Sequence, residues 1–167
     1  MVIVVIITIG VLRFRKRISG GIVNKNKIIG SMILYFAIST LTVFSSFQVG
    51  VSTWYLFAYV GMLTGSTYLS NKLVSKRITL WRTDDGLIHA KGGNISYIIW
   101  FGGLVLRFIL GYVFIGSDYF LSMYGAQKIA NPSALGFLII VDLIMMLGVG
   151  VLTGRNMQII SKLKSFK

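Results

Sequence analysis

The side chains in this sequence that could do chemistry are few, and most of them are cationic. Seventeen Lys and Arg residues stand against four Asp and Glu, one His and no Cys, giving a formal charge of +13. Without Cys there is no disulfide framework, thiolate metal site or redox thiol. His89 has no second His, Cys or Glu beside it with which to form a metal site or a proton relay. Asp84 and Asp85 are adjacent carboxylates, but a calcium loop needs further spaced oxygens. Followed by Gly86, they read as turn chemistry. No Ser-His-Asp set, H-E-x-x-H, G-x-S-x-G or phosphate loop occurs. The expectation is a protein that is not an enzyme and needs no metal or cofactor.

Arg107 and Asp142 differ from the other charges, because each interrupts an apolar segment. A charge at the centre of a lipid-embedded helix costs about 2.5–3.5 kcal/mol on insertion scales. Such groups therefore face a bundle interior and find partners. Arg107 lies nine residues before Gly116, and Asp142 nine residues after Ser133. At about 1.5 Å per residue, both sit roughly 13–14 Å below the same face. Consecutive antiparallel helices are commonly neighbours, so an intramembrane Arg107–Asp142 pair is expected.

The flanking residues suit such a pair. Gly103, Arg107 and Gly111 recur at i, i+4 and i+8 on one stripe, where small residues let another helix approach. Met145 and Met146 offer an adaptable apolar lining one turn beyond Asp142. Ser39, Thr42 and Ser46 form a weak polar stripe on an earlier segment. Two functions remain open for the pair: fixing helix register, or handling a polar or anionic solute or a proton. Gly61 with Gly65, and Gly150 with Gly154, make two G-x-x-x-G spacings that permit close helix packing.

The elements that position these residues are read from hydropathy and charge. The 167 residues are 55% apolar and only 13% charged, against about one-quarter charged in an ordinary soluble domain. Residues 28–71 carry no formal charge, enough for roughly two crossings of a ~30 Å hydrocarbon layer. The break at 48–53 divides them. The expected fold is all-α: a single membrane domain with five transmembrane helices at about 1–14, 28–47, 54–71, 95–116 and 133–154. The first is short for a full crossing. A spanning helix, a half-inserted anchor and a truncated end all fit it.

Residues 77–93 predict a small cytoplasmic β-hairpin, with strands at Ile78–Thr83 and Leu87–Lys91 around Asp84-Asp85-Gly86. A lone hairpin is marginal in water, so it should lie on the membrane surface or a helix. Threaded this way, fifteen bases fall on one side and Lys128 alone on the other. The positive-inside rule then puts the N-terminus outside and the C-terminus in the cytoplasm of a multi-pass cell-membrane protein. The cationic side would attract anionic lipid at roughly 1 kcal/mol per base. Nucleic acid is not an expected partner, because the aromatics lie mostly in the apolar runs rather than among the bases.

Three stretches together resemble the CcdC-like family of small bacterial membrane proteins. They are Arg13-Phe14-Arg15-Lys16-Arg17 after a first apolar segment, Thr83-Asp84-Asp85-Gly86-Leu87-Ile88-His89-Ala90-Lys91, and Arg107 in the following helix. The likeness covers most of residues 1–155 in layout and residues 77–110 in motif. It implies a multi-pass protein without an established molecular activity; the short first segment departs from the pattern. The function expected is a non-catalytic accessory or interaction protein, with a homo-oligomer or a membrane-protein partner. The alternatives are a small binding or transport unit built on Arg107 and Asp142, and an immunity-type membrane protein.

Overall fold

The computed structural model describes residues 21–74, 78–92, 95–115 and 132–165. In chain order they form β1 (Gly21–Ile22), α1 (Lys25–Gln48), α2 (Tyr55–Val74), β2 (Thr79–Arg82), β3 (Ile88–Lys91), α3 (Ile95–Ile115) and α4 (Pro132–Ser165).

Local chemistry sets the boundaries. Asn24, extended at φ −122° and ψ 123°, caps α1 by accepting from the backbone N–H groups of Asn26 and Lys27. At the other end, Val51 N–H donates to Ser46 O and Gly50 N–H to Phe47 O, with Gly50 at φ 115°. That is the 6→1 and 5→2 pattern of a Schellman stop, which needs a residue that tolerates positive φ. Pro132 opens α4 at a position where its missing N–H costs nothing.

α1 and α3 run away from the sheet, and α2 and α4 run back to it. α4 is the central helix, and each of the other three packs on it. Tyr97, Trp100 and Leu104 of α3 meet Met145, Val149 and Leu152 of α4. Val43 of α1 and Tyr59 of α2 meet Met146. Small residues on α4 bring the helices close. A Cβ added at Gly148 would stand 2.6 Å from Trp100 Cα, and one at Gly154 would stand 2.5 Å from Thr67 O.

The hairpin forms as a three-stranded antiparallel sheet of order β1-β3-β2, with Thr79 opposite Lys91 and Arg82 opposite Ile88. Gly86 N–H donates to Thr83 O and Thr83 N–H to Leu87 O, closing a tight loop with Gly86 at φ 75°. Asp84 and Asp85 are exposed in that loop. The sheet lies on α4, where Ile78 and Ala90 pack against Ile159 and Lys162 donates to Ile78 O. The third strand, Gly21–Ile22, was not expected from the sequence.

The expectation of five transmembrane helices is corrected. Among the described residues there are four helices, and two of them, α1 and α4, are long and apolar enough to cross a membrane. Reading every charge-poor run as a crossing overcounted. α2 carries Ser66, Thr67, Ser70 and Asn71 in its second half, which lower its hydropathy without carrying a charge. In α3 the described side chains show an apolar helix over Tyr97–Val113. The segment 1–14 lies outside the described residues. α4 also continues eleven residues beyond the expected end at Gly154, because that glycine sits against α2 instead of ending the helix. Ile159 and Leu163 then extend the apolar face onto the sheet.

Candidate functional site: a buried polar centre

α1, α3 and α4 carry a polar centre in the middle of the bundle. Arg107 of α3 is 1% exposed and Asp142 of α4 is fully buried, and the two form a salt bridge through Nη1 and Oδ1. Arg107 Nη2 shares its hydrogens among Thr42 O at 2.7 Å, Ser46 Oγ at 2.8 Å and Ser45 Oγ at 2.9 Å, all on α1. The second carboxylate oxygen of Asp142 accepts from Ser46 Oγ at 2.6 Å and from Tyr59 OH of α2 at 3.5 Å. One ion pair thus joins side chains from all four helices.

α1 supplies its part by spacing. Ser39, Thr42, Ser45 and Ser46 fall on one face, and all four are buried. Their hydroxyls are satisfied: Thr42 Oγ1 donates to Ser39 O, Ser45 Oγ to Thr42 O, and Trp100 Nε1 donates to Ser39 Oγ at 3.0 Å. Around the rest of the helix Ile33, Leu34, Phe36, Leu41 and Phe44 are exposed. The helix buries hydroxyls and exposes large hydrocarbons, the inverse of a water-facing amphipathic helix.

A buried ion pair is stable only when its geometry is good and the remaining lone pairs and hydrogens have partners. Here the carboxylate has acceptor contacts on both oxygens, and the guanidinium meets a carbonyl and two hydroxyls besides the carboxylate. The arrangement holds the four helices in one register.

Gly103 sits beside this centre, where an added Cβ would lie 3.1 Å from Met145 Cγ and 3.2 Å from Ile144 Cγ2. Gly111 is buried on the same helix. Gly150 and Gly154 serve contact within the chain: a Cβ on Gly150 would overlap Ser66 Oγ and stand 2.5 Å from Leu63 O. Gly61 and Gly65 are both exposed on α2, and among the described residues a Cβ at either would meet nothing within 4 Å.

Spacing missed four contributors. Ser45 and Tyr59 belong to the centre, Trp100 anchors Ser39, and Gly148 admits Trp100. Ser45 was legible, since it lies at i+3 from Thr42. His89, at the sheet, stacks on Trp81 with ring centroids 5.5 Å apart. No cluster of three or more His, Cys, Asp or Glu side chains suited to a metal ion occurs among the described residues.

The other end of the bundle is cationic. Among the described residues every Lys and Arg except Arg107 lies at the end carrying the sheet. No family model matches the chain, no curated protein is similar to it, and no solved structure shares its fold at a significant level.

Proposed function

We propose that the chain is a multi-pass cell-membrane protein with a non-catalytic role, acting through contacts of its helices with a second copy or a membrane-protein partner. One observation carries the membrane reading: on α1 and across the bundle, charge and hydroxyl lie inside while large hydrocarbons lie outside. Lipid is the solvent in which that distribution is favourable. α1 and α4 are the helices long and apolar enough to cross it, and α2 and α3 pack beside α4. The end bearing the sheet and most of the bases faces the cytoplasm by the positive-inside rule. The side of residue 1 depended on a fifth crossing and forms no part of the proposal. The resemblance to the CcdC-like proteins enters only as layout.

The non-catalytic role is supported by the partners that the charged centre already has within the bundle. Asp142 and Arg107 spend their hydrogen bonds on one another and on α1 and α2, which suits a lock better than a binding site. Two measurements test this reading. A single cysteine introduced by Asp84→Cys should react with an impermeant maleimide in opened cells and stay unlabelled in intact ones; labelling of intact cells refutes the orientation. Native mass spectrometry of the extracted protein should find it with a second copy or a protein partner. A lone chain carrying a polar solute that Arg107→Leu loses would instead establish the binding-unit alternative.

A further inference from the structure

A second polar site lies at the cationic end, apart from the Arg107–Asp142 centre. A cavity of about 140 Å³ opens between the start of α1, strand β3 and the last third of α4. Its polar lining is Asn24, Lys27, Ser31, Arg155 and Asn156, and its remaining walls are apolar. Drug-sized ligands occupy about 300–1,000 Å³, so this space suits a group no larger than a phosphate and its first ester atoms.

Among the described residues no anionic group meets the charge in this cavity. Arg155 is 6% exposed, and it donates to neutral groups: Gly92 O at 3.0 Å, Tyr97 OH at 3.3 Å and Asn156 Oδ1 at 3.3 Å. Its guanidinium also lies over the Tyr97 ring, 5.3 Å from the centroid. The four carboxylates of the sequence are Asp84, Asp85, Asp118 and Asp142. Asp142 is engaged by Arg107, while Asp84 and Asp85 are exposed in the hairpin loop. Among the described residues no carboxylate lines the cavity.

Asn156 supplies the second, independent sign. It is 1% exposed and lines the cavity; Arg155 occupies its Oδ1, and among the described residues its Nδ2 has no hydrogen-bond acceptor. A buried amide donor left unmatched is destabilising, so it calls for an acceptor. A nearly buried guanidinium and an amide donor, with Lys27 beside them, together specify an anion bearing several acceptor oxygens.

We infer that this cavity binds a phosphate group, carried either by a phospholipid headgroup or by a small soluble phosphate. The inference stands on the cavity itself and does not require the membrane reading. It is tested on the full chain in detergent with two probes: inorganic phosphate, read by thermal shift, and phosphatidylglycerol, read by native mass spectrometry. The informative variant is Asn156→Asp, nearly isosteric, which hands Arg155 an internal carboxylate and removes the amide donor. Its melting temperature without ligand should stay at or above that of the parent chain, while anion affinity falls at least tenfold. Arg155→Lys, which keeps the charge, should retain part of the binding.

One phosphatidylglycerol held per chain, lost in Asn156→Asp and not displaced by phosphate, assigns the site to a lipid headgroup. Stabilisation by phosphate alone, lost in the same variant, assigns it to a soluble anion. If neither probe distinguishes the parent chain from a folded Asn156→Asp, the inference is wrong.

Discussion

Removing Asp142 while leaving Arg107 is the most informative single perturbation of the bundle. Asp142→Leu takes the carboxylate from a guanidinium that is 1% exposed and leaves it neutral groups such as Thr42 O and the Ser45 and Ser46 hydroxyls. An uncompensated buried charge costs about 3–5 kcal/mol. The hydrogen bonds lost with the carboxylate are worth only about 0.6 kcal/mol each between helices in lipid, so the charge dominates. Arg107→Leu should be milder, because Asp142 keeps Ser46 and Tyr59 as hydroxyl donors. The double variant, Leu at both positions, replaces the pair with hydrocarbon and should fall within about 1 kcal/mol of the parent. The cycle therefore predicts a coupling of at least about 2 kcal/mol, measured by unfolding in mixed micelles with circular dichroism. Mild single effects that add within about 0.5 kcal/mol would refute the pair as the lock of the bundle.

Other predictions address packing and turns. Gly150→Val should lower the melting temperature in detergent through an overlap with α2 worth about 1–3 kcal/mol, whereas Gly61→Val, facing open space, should leave it nearly unchanged. Trp100→Phe removes the Nε1 donor from Ser39 Oγ and should cost about 1 kcal/mol in the same unfolding assay, with Ser39→Ala not adding to it. Gly86→Ala forces a side chain onto a φ of 75° at a cost of about 1–2 kcal/mol. It should speed amide exchange in Thr79–Arg82 and Ile88–Lys91 without affecting α4.

Depth arithmetic from Gly116 and Ser133 placed Arg107 opposite Asp142, and the two side chains do meet. The three-residue loop at Asp84-Asp85-Gly86 was legible for a similar reason: its conformation is decided by four or five consecutive residues. Elements set by distant partners were not legible. Gly21–Ile22 is a strand only because β3 offers it an edge. The last eleven residues of α4 stay helical because Ile159 and Leu163 find the sheet. Charge counting could not separate α2 from a hydrophobic span, since Ser66 and Ser70 are polar without being charged. Ser70 Oγ donates to Val151 O, a contact that a span count cannot register. The G-x-x-x-G spacing marked Gly61 with Gly65 as strongly as Gly150 with Gly154, and among the described residues the second pair is the one that meets a helix.

The central claim is that hydrocarbon, not water, surrounds the outer faces of these helices. Because the chain has no Cys, a single introduced thiol reports on one position alone. Phe44 is 59% exposed on α1, one and a half turns from the buried polar face at Ser39 and close to Ser45 and Ser46 in sequence. Reaction of Phe44→Cys with a water-soluble maleimide, in opened native membranes, tests the claim directly. Protection until the protein is denatured, while Asp84→Cys in the same preparation reacts readily, is the result predicted. Equal reactivity of the two thiols in the folded protein would contradict it.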